Sequence, residues 1–308
     1  MSRILITGAG GFVGANLLRA LIKRNDDVHV IVRNGKEYWR LADLSGLYQV
    51  HYADITDEED IQKIIANVQP EIVYHLAHFG GNRGETDSAT IRRVIIDGTA
   101  NLYSACITHG VSKIIHTGSS SEYGLKNEPM TEQMMLEPNT EYGLAKAWVT
   151  QYGEHIRKER GINITTLRLF SVYGPYESAT RFFPATVRSL MREEMPLLSN
   201  KYTARDFVYI DDVIGALLLA QTGPAGVYNV GTGIESTLGD AVEIIQRELQ
   251  STLHVIWGGI EGRSFDSSHW LANTSFSEAQ LHFSAHTKLD DGIVKLIEWF
   301  KVNGHWYV

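Results

Sequence analysis

The chain has 308 residues, 44% hydrophobic and 21% charged, with a formal net charge of −8 at pH 7. That length suits one large domain or two smaller ones, and the acidic balance excludes the clustered Lys/Arg surface that a nucleic-acid partner requires. The single cysteine, Cys106, excludes an internal disulfide framework, and the twelve histidines are scattered without metal-ligand spacing, so no metal is expected.

Short β-branched runs at residues 3–7, 28–32, 50–52, 72–76, 114–117 and 164–169 alternate with amphipathic stretches at 14–23, 57–66, 98–108 and 142–159. This rhythm predicts βαβ units, and so an α/β fold whose doubly wound parallel sheet carries helices on both faces. Past residue 171 the pattern loosens into Gly/Pro-punctuated stretches with isolated helices near 184–192 and 238–250. We expect residues 1–172 to form a dinucleotide-binding domain and 173–308 a smaller substrate-binding lobe, with segments around 206–232 packing back onto the first. No apolar run approaches the roughly 20 residues of a membrane span, and Met-Ser-Arg leads into Ile4-Leu-Ile6 without a signal-peptide pattern, so a cytoplasmic protein with no membrane or nucleic-acid partner is expected. The aromatic His305-Trp-Tyr-Val308 suggests only packing against the body.

Between the first strand and the first helix lies Thr7-Gly8-Ala-Gly-Gly11-Phe-Val-Gly14. Glycines there let the backbone turn tightly and approach a pyrophosphate resting on the helix N-terminus. A glycine triplet alone is a weak signal, since any tight strand-to-helix turn asks for similar residues; its strand-glycine-helix setting makes Gly8, Gly11, Phe12, Val13 and Gly14 candidate cofactor contacts. The second strand ends Ile31-Val32-Arg33-Asn34, where a carboxylate would suit the ribose 2′-OH of NAD. Arg33 offers a cation suited to a 2′-phosphate, which favours NADP(H) and leaves NAD(H) possible; a solvated surface arginine is the plain alternative. Asp54, before Ile55, reads either as an acceptor for the adenine amino group or as an ordinary turn or N-cap aspartate.

Tyr142 and Lys146 stand four residues apart in Glu141-Tyr-Gly-Leu-Ala-Lys146, on one face of a helix. A fixed positive charge there is expected to bring the phenol toward proton exchange near neutral pH. Ser119 opens Ser-Ser-Ser-Glu-Tyr-Gly124 at the carboxyl end of a strand. Three loop serines are more often turn chemistry, but beside Tyr142 and Lys146 a hydroxyl completes a general-acid pair for an oxyanion forming at a carbonyl carbon.

Seven segments together resemble the extended short-chain dehydrogenase/reductases of the nucleotide-sugar branch: Thr7 to Gly14, His75-Leu-Ala77, Ser119 to Gly124, Tyr142 to Lys146, Arg168 to Pro175, Arg205 to Val213 and Tyr228 to Gly231. The resemblance implies a Rossmann domain with Leu76, Ala77 and His78 at the cofactor, and a nucleoside-diphosphate sugar in the smaller lobe. It also implies a homodimer through a four-helix bundle that includes the Tyr142 helix, and Arg205 and Arg263 at the diphosphate or nucleotide ribose. Ser120, Ser121 and Phe183 are expected at the sugar. Family members that dehydrate sugars follow the first hydroxyl of the serine loop with acidic residues; here Ser120 and Ser121 follow, and Glu122 is one place late, which disfavours 4,6-dehydration. Two activities then remain: 4-keto reduction of a nucleoside-diphosphate-4-keto-6-deoxy sugar by NADPH, preferred because of Arg33, and 4-epimerisation with tightly held NAD. The C-terminal third is similar to CDP-abequose and CDP-paratose synthases, and the serine loop to GDP-4-keto-6-deoxymannose reductases. A non-catalytic cofactor sensor is the remote alternative, since such proteins tend to lose the Tyr/Lys pair. One position departs from the family pattern: Ile95 stands where an asparagine usually precedes Asp97-Gly98-Thr99.

Overall fold

Strands β1 (Arg3–Thr7), β2 (Asp27–Val32), β3 (Gln49–Tyr52), β4 (Ile72–His75), β5 (Lys113–Ser119) and β6 (Asn163–Leu169) form a parallel sheet in the computed structural model, which describes residues 2–81, 84–262 and 266–307. A late strand, β10 (Gly226–Val230), joins them to give the order β10-β6-β5-β4-β1-β2-β3. Four of the five residues of β1 and all seven of β5 are buried, as expected for strands covered on both faces. The order reverses at β1, which pairs with β2 on one side and β4 on the other. A crevice therefore opens between the carboxyl ends of β1 and β4, where ligands of such sheets bind.

Helix α1 (Phe12–Lys23) turns Ala15, Leu17, Leu18 and Leu21 onto the sheet, and α2 (Glu58–Val68) turns Ile61, Ile65 and Val68. Short α3 (Ser88–Arg92) runs through a π-helical turn, Arg93–Asp97, into α4 (Gly98–Thr108). Ile95 in that turn packs with Ile91, Ala145 and Val149 against α5 (Glu141–Arg160). The asparagine position of the family is therefore apolar packing here, and Thr99 donates its hydroxyl to the Ile95 carbonyl.

Beyond β6 the chain alternates between the large sheet and a small lobe. In that stretch β7 (Ser171–Tyr173), β9 (Ala204–Tyr209) and β11 (Glu235–Thr237) make a three-stranded mixed sheet, and β8 (Leu197–Leu198) pairs with β12 (Ile256–Trp257). Helix α6 (Phe182–Met191) and α8 (Leu238–Leu249) pack together in the lobe, whereas α7 (Ile210–Leu219) packs on α1. Helices α9 (Ser275–Leu281) and α10 (Leu289–Asn303) lead to a 3-10 turn, Gly304–Tyr307, whose rings pack on the body. One hydrophobic cluster runs from Ile4 and Leu17 through Phe183, Phe207 and Ile214 to Phe300, so the two parts share a core. Among the described residues no helix is long and apolar enough to cross a membrane.

Candidate active site

A cleft of about 1340 Å³ lies at the carboxyl ends of β1, β4 and β5 and is closed on its far side by α6, β9 and the segment 197–203. Gly8, Gly11, Phe12, Val13, Gly14, Arg33, Asp54, Ile55, Leu76, Ala77, His78, Ser119, Ser120, Ser121, Tyr142, Lys146, Phe183 and Arg205 all line it. Arg263 lies outside the described residues.

At one end the glycine loop is packed so closely that side chains are excluded. Gly8 has φ +76°, and a Cβ there would sit 2.6 Å from the backbone of Leu76 and Ala77; one on Gly14 would sit 2.2 Å from the Gly8 carbonyl oxygen. The loop delivers the chain to α1, whose N-cap Gly11 makes no side-chain cap and whose first turn holds no acid. Helix α2 is the internal control: Asp57 caps it by accepting from Asp60 N–H, and Glu58, Glu59 and Asp60 fill its first turn. Unlike α2, α1 leaves its N–H groups and positive dipole end to a ligand, which is what a dinucleotide pyrophosphate needs. Arg33 is exposed at the rim, its backbone held at both ends by the Tyr38 hydroxyl, which accepts from Arg33 N–H (2.8 Å) and donates to Arg33 C=O (3.1 Å). Asp54 Oδ1 accepts from Thr56 N–H and Thr56 O–H, so one carboxylate oxygen makes the turn, and the α2 cap belongs to Asp57.

At the middle of the cleft β5 and α5 bring Ser119, Tyr142 and Lys146 together. Ser119 neighbours the Tyr142 phenol at the cleft and accepts from Ser121 N–H at 3.1 Å. Lys146 is buried, donates to the Thr117 carbonyl at 2.8 Å and lies 5.9 Å from the centre of the Tyr142 ring. Burial draws its ammonium down to about 8, with Glu122 pulling the other way. The expectation that the Lys146 charge brings the phenol toward neutrality is corrected here. Burial pushes Tyr142 up to about 12, with neighbouring Ser119 leading the opposing effects, and the ammonium is aimed at a carbonyl and not at the phenol oxygen.

Glu122 is turned away from the cleft. Its two oxygens take Arg168 Nε at 2.7 Å and Ser119 N–H at 2.8 Å, and both members of the ion pair are buried. Ser120 accepts from the Trp270 indole at 3.1 Å. The hydroxyl end of the serine loop is therefore set by side chains up to 150 residues away, with no carboxylate offered from its first three positions.

Opposite, Arg205 pairs with Asp266 at 2.6 Å and stacks over Trp270. Arg181, at the N-cap of α6, donates to the Gly81 carbonyl across the cleft (3.1 Å), and its charge reaches Tyr142, His78 and Arg205. Arg40 donates to the Tyr176 carbonyl at 2.6 Å and to Gly10 C=O at 3.4 Å. Sequence reasoning placed no role on Arg40 or Glu177.

A model described as the NAD dependent epimerase/dehydratase family matches residues 4–231. The chain belongs to that family. It is 29% identical to the UDP-glucose 4-epimerase of Mycolicibacterium smegmatis, with 97% of this chain and 98% of that one covered. It is 24% identical to the dTDP-glucose 4,6-dehydratase of Streptomyces niveus over 99% of this chain and 94% of that one. The solved UDP-glucuronic acid 4-epimerase of Bacillus cereus, in complex with UDP-glucuronic acid and NAD, superposes with a TM-score of 0.87 at 25% identity, covering 97% and 98% of the two chains. The protein is thus an enzyme of the nucleotide-sugar epimerase/dehydratase type with a Rossmann-like fold.

Behind the cleft, which His78 lines, the imidazoles of His75 and His116 are buried. His75 bridges Thr7 Oγ1 (2.7 Å) and Thr99 Oγ1 (2.8 Å), His116 lies 5.1 Å from it ring to ring, and His78 meets Tyr142 edge-on at 6.1 Å. Burial, helped by Lys146, draws His75 down to about 3 and His116 well below its ordinary value, whereas His78 is exposed at the cleft.

Proposed function

We propose that this protein interconverts nucleoside-diphosphate sugars at C4 as a 4-epimerase using tightly held NAD. The observation that carries the reading is the withdrawal of Glu122 into its ion pair with Arg168 while Ser119, Tyr142 and Lys146 line the cleft. Proton and hydride exchange at C4 is provided for, and the serine loop offers no acid for elimination at C5 and C6. The relatives described as epimerases, and the solved one holding NAD, favour epimerisation over the 4-keto reduction preferred from sequence.

The glycine loop and the uncapped end of α1 fit a dinucleotide pyrophosphate. A bound nicotinamide would supply the hydride acceptor and donor for C4. As its phenolate, Tyr142 would take the C4 hydroxyl proton and later return it, so no proton is consumed. Ser119 holds the C4 oxygen, and Lys146, cationic below about pH 8, supports the phenolate when it forms. Arg181 and Arg205 meet the substrate's negative charge. Exposed Leu144 and Trp148 on α5 support a dimer built through that helix.

Arg33 favours a second reading, NADPH-dependent reduction of a 4-keto-6-deoxy sugar. A UDP-hexose incubated with enzyme and catalytic NAD should equilibrate with its C4 epimer without net nicotinamide absorbance change. Stoichiometric NADPH oxidation with a 4-keto substrate, and no epimer formed, would reverse the order of the two.

A further inference from the structure

Glu177 has no part in the chemistry above, yet it is 4% exposed, lines the cleft, and its Oε2 has no hydrogen-bond partner among the described residues. A buried polar oxygen without a partner calls for a reason. Arg181 Nε approaches its other oxygen at 3.4 Å while the same guanidinium reaches Gly81 C=O across the cleft. Arg40 stands on its other side, between Gly10 C=O in the glycine loop and the Tyr176 carbonyl. From the C-terminal turn, Tyr307 donates its hydroxyl to the Glu177 carbonyl at 2.6 Å. The tail is fixed in turn: Tyr307 meets Trp39 edge-on at 5.2 Å, Trp306 stacks on Trp39 at 6.3 Å, and Arg188 donates to the Tyr307 carbonyl. Tyr176, next in the chain, carries Arg19 over its ring at 3.9 Å.

We propose that Glu177 is a proton-responsive positioning residue that shares itself between the cofactor-side Arg40 and the substrate-side Arg181, and that the C-terminal Tyr307 holds it there. The inference rests on a dinucleotide occupying the cleft, as in the reading above. Burial raises the Glu177 carboxyl to about 7 against the pull of Arg181 and Arg40. Protonated, it leaves both guanidinium charges to an anionic ligand; ionised, it neutralises them and repels the pyrophosphate. Dinucleotide affinity should therefore fall as pH rises through about 7, and by linkage a bound dinucleotide raises the Glu177 pKa further.

The test is an NADH fluorescence titration between pH 6 and 8 without sugar; NADPH is avoided because a phosphate monoester itself titrates near 6. The wild-type dissociation constant should rise about fivefold to tenfold across that range. Glu177→Gln, which keeps the volume and stays neutral, should bind as tightly at pH 8 as wild type does at pH 6. Tyr307→Phe, with the ring kept and the tether lost, should move the midpoint downward as the carboxyl gains solvent. Superimposable pH curves for wild type and Glu177→Gln, or a Gln variant weaker at every pH with unchanged slope, would overturn the proposal. Thermal melts of both variants within a few degrees of wild type are expected; binding losses that merely track lost melting temperature would count against it. Because no sugar is present, failure to epimerise any nucleotide sugar sinks the function and leaves this result standing.

Discussion

The two walls of the cleft are built on different plans. The catalytic wall takes Ser119 from the end of β5 and Tyr142 and Lys146 from successive turns of α5, so strand register and helix period alone bring three groups together. The opposite wall takes Glu177 and Arg181 from the loop before α6, Arg205 from β9 and Arg40 from a turn after β2, and almost every charge on it is matched by another. Chemistry resides where local geometry is rigid. Recognition resides where distant segments meet and charges hold one another in place, so substitutions should separate along the same line.

The largest effect is expected on the catalytic wall. Tyr142→Phe removes the proton carrier and should lower turnover about 10²- to 10⁴-fold, with NAD binding retained in a fluorescence titration. A variant with wild-type turnover would erase the distinction between the walls.

Next comes the buried pair behind that wall. Glu122→Ala leaves the Arg168 guanidinium buried without its carboxylate and Ser119 N–H without its acceptor. Loss of one partner of such a pair typically costs about 3–5 kcal/mol, read here by urea titration. A loss below about 1 kcal/mol would mean that water reaches Arg168 and that the serine loop is less rigid than the two hydrogen bonds imply.

The buried histidines give a third, pH-dependent effect. With folded values drawn below 6.5 by burial, to about 3 for His75 and well below the ordinary value for His116, the unfolded chain binds protons that the folded one refuses. Stability should therefore fall as pH drops below about 6.5, by about 1.4 kcal/mol per pH unit for each histidine until its folded value is reached. Glu177, raised from 4.5 to about 7, acts in the opposite sense: its contribution is lost as pH rises between those values. Two buried histidines against one carboxyl leave a small net loss toward acid. Urea midpoints equal at pH 7.5 and 5.5 would show that the imidazoles accept protons in place.

How much was legible in the sequence follows the same division. Periodicity gave the first six strands to within two residues at each end, and the short spacing of Tyr142 to Lys146 gave the catalytic face, because both are local signals. The α7 and α10 helices went unnamed: neither has a side-chain cap at its N-cap, Tyr209 or Lys288, and the acidic pairs Asp211-Asp212 and Asp290-Asp291 in their first turns were the signal left unread. Glu122 was judged one residue too late for the cleft from spacing, but its partner Arg168, 46 residues on, is a tertiary fact. Arg40 was illegible because the Tyr176 carbonyl it holds is 136 residues away, and Glu177 because, beside its local partner Arg181, it takes its place from Arg40 and the C-terminal turn. Even the acidity of Tyr142 was misjudged from spacing, since burial is not a local property.

The smallest expected effect lies at the rim, where the cofactor is chosen. Arg33 is exposed, and only its backbone is fixed, by Tyr38, so its side chain stays free to meet a 2′-phosphate or to remain in solvent. Replacing it with aspartate puts a carboxylate near Asp54 at the end of β2, where an acidic side chain suits the two ribose hydroxyls of NAD. If Arg33 holds a phosphate, Arg33→Asp should weaken NADPH binding by roughly tenfold or more while NADH binding stays level or tightens, the size expected for one charge-assisted contact. If the resident dinucleotide is NAD, as the epimerase reading requires, the wild type should already prefer NADH and the substitution should shift the ratio by less than about threefold. Paired titrations of NADH and NADPH on both proteins therefore separate the two readings at the rim, without turnover and without knowledge of the sugar.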